Sequence, residues 1–146
     1  MYYSCMNDTA VSQQARHLDV ILQTAHALEA RLEAALDEAG LSGAKFSVLS
    51  ELVRSREALP LSELASRLAC VRSNMTQLVD RLEADGLVRR VADPNDRRSV
   101  KAQITDEGER RQADGARKVE ALERGLAALV SGPDAAALHR MLDALR

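Results

Sequence analysis

A chain of 146 residues has the size of one domain and can bury a substantial core without disulfides or a structural metal. Its 46% hydrophobic and 29% charged residues read as soluble and globular, and no apolar run is long enough to cross a bilayer, so a membrane protein is not expected. The net charge of −2 argues at first sight against a nucleic-acid partner. Between Leu87 and Lys101, however, Arg89, Arg90, Arg97, Arg98 and Lys101 face only Asp93 and Asp96, a local excess of +3.

Residues 1–16, MYYSCMNDTAVSQQAR, lack a basic stretch followed by an apolar core; they read as a loose tail rather than a signal peptide, and a cytoplasmic location is expected. From His17 to Ala39, apolar residues at Leu18, Ile21, Leu22, Ala25, Leu28, Leu32 and Leu36 recur in three- and four-residue steps and predict a long amphipathic helix, ended by Gly40 and Gly43. Ser42 is the expected N-cap of a second helix carrying Phe46, Val48, Leu49, Leu52 and Val53. A very short strand is expected near Leu61, and Ser62 is then read as the cap of a short third helix with Leu64, Ala65 and Leu68. After CVR comes SNMTQLVDRLEADG, a fourth helix with Met75, Leu78, Val79 and Leu82 as its buried stripe and Gly86 as its stop. LVRRVAD and SVKAQIT read as strands of a hairpin joined by PNDRR. Thr105 caps a fifth helix running through Val119, Leu122, Leu126, Leu129 and Val130, Gly132-Pro133 breaks it, and a last helix carries Leu138, Met141, Leu142 and Leu145.

The expected fold is mainly α with a small β part, ordered ααααββαα: a winged helix-turn-helix flanked by long helices. In the fourth helix Ser73, Gln77 and Asp80 point away from the apolar stripe, flanked by Thr76 and Arg81. Small polar side chains at the start of such a helix can reach phosphates and base edges in a major groove, and Arg72 adds a bidentate donor. A merely solvated face has the same composition. The hairpin that follows favours the DNA reading: arginine at a wing tip suits the strong negative potential of a narrow minor groove, and a guanidinium is weakly hydrated and planar. Asp93 and Asp96 can orient Arg97 and Arg98 through charge-assisted hydrogen bonds. A solvated turn is the competing reading of the same residues.

The stretch LSELASRLACVRSNMTQLVDRLEADGLVRRVADPNDRRSVKAQITDEG resembles the multiple-antibiotic-resistance regulator (MarR) family of winged-helix transcription factors, most specifically in Asp96-Arg97-Arg98-Ser99, Ile104-Thr105 and Gly108. The helix order extends the resemblance over nearly the whole chain from about His17. It implies one MarR-like domain, with residues 17–57 and 105–146 as dimerisation helices and scaffold and 58–104 as the winged helix-turn-helix. It further implies a homodimer that binds a pseudo-palindromic operator in double-stranded DNA. Ser73, Asn74, Thr76 and Gln77 would then be the base-edge candidates, Arg72 and Arg81 the phosphate contacts, Arg97 the minor-groove residue and Arg98 its support. Three helices with wide apolar faces outside the winged helix independently favour a symmetric dimer. Two departures stand out: Val71 occupies a position where the family commonly has a small polar N-cap, and Cys70 one where an aliphatic residue is usual. A weak cap is therefore expected, with Ser73 able to shift the helix start.

Many members of that family are repressors released by a small ligand held between the dimerisation helices and the winged helix. Here Arg16, His17 and Arg31 are the polar candidates beside a Leu- and Ala-rich wall, with little aromatic lining to offer. No metal is expected: His17 and His26 lie nine residues apart on one helix and point to opposite faces, and His139 is remote. Some relatives sense oxidants through cysteine. Cys70 abuts the recognition helix, where oxidation would disturb the placement of Arg72 to Gln77, and Cys5 lies upstream of the first helix; the alternative for Cys70 is a small buried hydrophobe. The expected function is a DNA-binding transcriptional regulator of the repressor type, released by a small ligand or by thiol oxidation, with no cofactor. It is not expected to be an enzyme, because no nucleophile–base pair, phosphate loop or metal motif stands out. The rival is a winged-helix protein-interaction module that does not bind DNA.

Overall fold

The computed structural model describes residues 8–93 and 96–145. In chain order they form α1 (Asp8–Asp37), α2 (Gly43–Ser55), β1 (Leu59–Pro60), α3 (Leu61–Arg67), α4 (Arg72–Ala84), β2 (Val88–Asp93), β3 (Asp96–Ile104), α5 (Asp106–Ala127) and α6 (Gly132–Ala144). The antiparallel sheet has the order β1-β3-β2. This is the expected winged helix-turn-helix between long helices.

Helix α1 spans Asp8–Asp37, so residues 8–16, read as part of a loose tail, are helical; residues 1–7 lie outside the described residues. Asp8 and Thr9 favour a helix start and no Gly or Pro follows before His17, while the apolar periodicity that marks the helix begins only at Leu18. Cys5 lies outside the described residues.

The caps at Ser42 and Thr105 form as expected: Ser42 Oγ accepts from the Lys45 N–H at 3.3 Å, and Thr105 Oγ1 from the Gly108 N–H at 3.1 Å. Ser62 does not cap α3; the helix starts at Leu61 with Pro60 at the N-cap. The short strand accordingly falls at Leu59–Pro60, because Leu59 pairs with Ala102 and Pro60 with Lys101. Val71 is the N-cap of α4 and makes no side-chain cap bond, so the weak cap is present but the shift toward Ser73 is not. Gly86, at φ 73°, ends α4 in the left-handed region that glycine adopts without strain.

The hairpin is tighter than PNDRR suggests, since Asp93 pairs with Asp96 and thereby draws Asp96, Arg97 and Arg98 into β3. Helix α5 ends at Ala127, short of Leu129 and Val130, and Gly132-Pro133 opens α6 rather than merely breaking α5. The Ser131 N–H donates to the Asp134 carboxylate at 3.2 Å, and a proline in the first turn gives up no helical hydrogen bond.

Leu49, Leu52, Leu64, Met75, Val79, Leu82, Leu87, Val88 and Ala102 form one core between α2, α3, α4 and the sheet, joined by Leu36 of α1. Helix α5 sits directly on the entry to β2: a Cβ on Gly108 would lie 2.1 Å from the Leu87 carbonyl oxygen. Thr105 Oγ1 also donates to the Gly86 carbonyl at 2.7 Å, fixing the same junction. Away from this core, Leu18, Ile21 and Leu22 of α1 and Leu138, Met141 and Leu142 of α6 remain exposed. No helix among the described residues is long and apolar enough to cross a membrane.

Candidate nucleic-acid interface

The connection between α3 and α4 turns through Ala69, at φ 48°, and is closed by the Cys70 N–H donating to the Ala65 carbonyl at 2.8 Å. Cys70 is half-buried against the core, with Sγ 3.6 Å from the Val71 carbonyl oxygen. It is therefore neither a fully buried hydrophobe nor an open thiol.

Along α4, Met75, Val79 and Leu82 are buried, whereas Arg72, Ser73, Asn74, Thr76, Gln77 and Arg81 are all exposed. The helical period put Ser73, Thr76, Gln77 and Arg81 on or beside the free face, and the structure exposes them together with Arg72 and Asn74. Thr76 Oγ1 donates back to the Arg72 carbonyl at 3.1 Å, which restrains its rotamer. A groove of about 290 Å³ joins the start of α4 to the wing; Arg72 and Thr76 line one side, Ser99 and Val100 the other, with Pro60 to Ser62 at its floor. Arg97 and Arg98 occupy the turn-proximal end of β3, and their side chains lie outside the described residues. Lower on the wing, Lys101 pairs with Asp93 at 3.1 Å.

Sequence reasoning counted Arg90 only as part of the local positive excess. Its guanidinium instead forks between the Glu83 and Asp80 carboxylates at 2.5 Å each, and its backbone N–H donates to Glu83 at 3.0 Å. Strand β2 is thereby tied to the second half of α4. The Arg90 backbone N–H, and then its guanidinium, hold the Glu83 carboxyl below the usual carboxylate range. Asp80 and Glu83, three residues apart on one helix face, were the available signal.

A second tie lies behind the helix pair. Glu51, only 6% exposed, accepts from Arg67 at 2.7 Å and from Arg54 at 2.6 Å, joining α2 to the end of α3. The hydrogen bond from Arg67 is the main reason its carboxyl ionises at lower pH than usual. Arg67 also holds Glu63 at 2.5 Å, so two carboxylates, Glu51 and Glu63, share two guanidinium groups.

His17 and Arg31 are exposed on α1, and the Arg16 side chain lies outside the described residues. His139 Nδ1 lies 2.8 Å from the Ala135 carbonyl oxygen. Among the described residues no group of three or more His, Cys, Asp or Glu side chains gathers as a metal site.

The MarR family model matches residues 41–100, which span α2 to the middle of β3. The uncharacterized HTH-type transcriptional regulator YkoM of Bacillus subtilis (strain 168) is 42% identical over 71 residues, which cover 49% of this chain and 46% of YkoM. The chain thus aligns with just under half the length of that relative. A MarR family transcriptional regulator from Streptomyces coelicolor superposes with a TM-score of 0.76 at 27% identity, covering 92% of this chain and 93% of that one. A cysteine-to-serine mutant of MarR from E. coli, crystallised in complex with operator DNA, superposes with a TM-score of 0.76 at 23% identity over 98% of this chain and 99% of that one. These relatives are transcription regulators, not enzymes. The helix-turn-helix, the wing and the helices that flank them agree with the match in sequence: residues 41–100 match the MarR family, and nearly the whole chain shares the fold of its solved members.

Proposed function

We propose that this protein is a homodimeric regulator of transcription that binds a pseudo-palindromic operator in double-stranded DNA through α4 and the wing and acts as a repressor. The observation that carries the reading is the exposed, polar face of α4, where Arg72, Ser73, Asn74, Thr76, Gln77 and Arg81 lie clear of the buried stripe, beside a wing ending in Arg97 and Arg98. Side chains of this kind at the start of a recognition helix can meet base edges, while the arginines add phosphate and minor-groove contacts. A protein of the same fold, the E. coli MarR mutant, crystallised with operator DNA, which supports duplex DNA as the partner.

The dimer follows from the apolar face shared by α1 and α6. Val20, Ile21, Ala25, Leu28, Leu138 and Met141 line an open groove of about 420 Å³ that a single chain leaves in water. A second copy placed by a two-fold axis would cover that face and set two recognition helices about 34–36 Å apart, one turn of DNA. Release by a small molecule or by thiol oxidation belongs to the same proposal. If Cys70 is the switch, Cys70→Ser protein keeps its DNA on peroxide treatment while wild type loses it.

The test is selection of binding sites from a random duplex library with wild type and an Arg97→Ala, Arg98→Ala double variant, followed by salt titration. A pseudo-palindrome bound with steep salt dependence, and weakly by the variant, supports the reading. No enrichment, or binding indifferent to salt, transfers the exposed face to a protein partner.

A further inference from the structure

The departure at Val71 acquires a use in the folded chain. Val71 is 66% exposed, although the residues on either side in the core pattern, Cys70 and Met75, are packed or buried. It stands at the N-cap with φ −67° and ψ 138°, and it serves the helix only through its carbonyl, which accepts from the Met75 N–H at 3.0 Å. Its side chain neither caps the helix nor joins the core. A branched aliphatic group is among the least favourable choices for an N-cap, where Ser, Thr, Asp or Asn would bind the free N–H groups of the first turn. Folding therefore gains little from these two mostly exposed methyl groups, which lie at the end of α4 that carries the polar side chains Arg72, Ser73 and Asn74.

We infer that Val71 is a specificity-determining residue that reads thymine, its methyl groups packing against the 5-methyl group of one thymine in each operator half-site. The inference rests on the DNA-binding reading above. In a helix-turn-helix the first residues of the second helix approach the base edges of the major groove. There the thymine methyl is the one apolar feature that distinguishes the four base pairs, and an aliphatic side chain is its natural partner. Arg72 and Asn74 can discriminate by hydrogen bonding at neighbouring positions; Val71 adds an apolar contact that Ser, Asp or Asn at the N-cap could not make.

The experiment uses the duplex selected by the full-length wild-type protein, resynthesised with deoxyuridine in place of thymidine at one symmetric pair of positions at a time. This change removes only the 5-methyl group. At one pair of positions wild type should bind about fourfold more weakly per lost contact, about fifteenfold when both half-sites are altered, as expected for loss of one buried methyl at each. Val71→Ser protein, whose fold is checked by circular dichroism, should bind the thymine and uracil duplexes equally; Val71→Thr, which keeps one methyl, should fall between. A selected duplex on which no uracil substitution weakens wild type, or on which the weakening persists undiminished in Val71→Ser, overturns the inference and leaves DNA binding standing. Failure to select any duplex overturns both.

Discussion

Replacing Gly108 with alanine should destabilise the protein sharply although alanine is the better helix former. The added Cβ would lie 2.1 Å from the Leu87 carbonyl oxygen and 2.8 Å from Ile104 Cγ1. The first neighbour is backbone at the entry to β2, and Thr105 ties the same turn to Gly86, so neither side can swing away as a flexible side chain would. Relief requires α5 to move by about 1 Å relative to the sheet, and overpacking of this kind costs about 3 kcal/mol, the upper part of its usual range. The gain in helix propensity offsets about 1 kcal/mol of that. The net loss of about 2 kcal/mol corresponds to a fall in Tm of roughly 6–8 °C for a chain of this size. Gly125→Ala provides the control within the same helix, because nothing lies within 4 Å of its added Cβ, and it should raise stability by up to about 1 kcal/mol. Thermal and urea unfolding at equal protein concentration would measure both, with concentration fixed so that self-association cannot alter the comparison. A Gly108→Ala protein as stable as wild type would refute the close seating of α5 on the Leu87 carbonyl.

Glu51→Gln should lower stability at neutral pH by about 1–2 kcal/mol, a modest figure because Arg54 and Arg67 keep much of their hydration. Since folding lowers the Glu51 pKa, its contribution is fully present above the unfolded carboxylate value of about 4.3 and is lost as pH falls through the folded one. Urea titrations should therefore show wild type and variant converging in acid; a gap that widens there would contradict the assignment. Arg90→Ala should weaken operator binding about tenfold by freeing β2 from Asp80 and Glu83; unchanged affinity in a fluorescence-anisotropy titration would show that the wing needs no such tie. Ile21→Glu combined with Met141→Glu should sediment as a monomer and lose the operator, both residues being exposed on the face assigned to the partner; a dimer by analytical ultracentrifugation would place the interface elsewhere.

Local chemistry explains which parts of the fold were legible in advance. Ser42 and Thr105 cap from within three residues, and Gly86 ends a helix by its own backbone freedom, so each signal and its effect are neighbours in the chain. The errors fall where the deciding partner is distant or the pattern is mute. Leu59–Pro60 becomes a strand only because β3, some forty residues later, supplies Ala102 and Lys101. Residues 8–16 are helical without an apolar stripe to announce it. The polar face of α4 could be read from its period alone. Arg90 was hidden in a local charge count because its two carboxylates lie across the junction between helix and strand, and Glu51 because its burial depends on where α3 ends.

The order β1-β3-β2 leaves two open edges, and both are guarded against intruding strands. Strand β1 is two residues long, ends in Pro60, which has no N–H to offer, and passes at once into α3. Strand β2 carries Arg89 and Arg90 along its length, charges that an incoming strand would have to desolvate. A newly made chain, with Leu18, Ile21 and Leu22 of α1 and Leu138, Met141 and Leu142 of α6 exposed, is thus open to association through its helices but closed to it through its sheet. Two arginines and one proline are thus enough to keep either edge of the sheet from starting a cross-β aggregate.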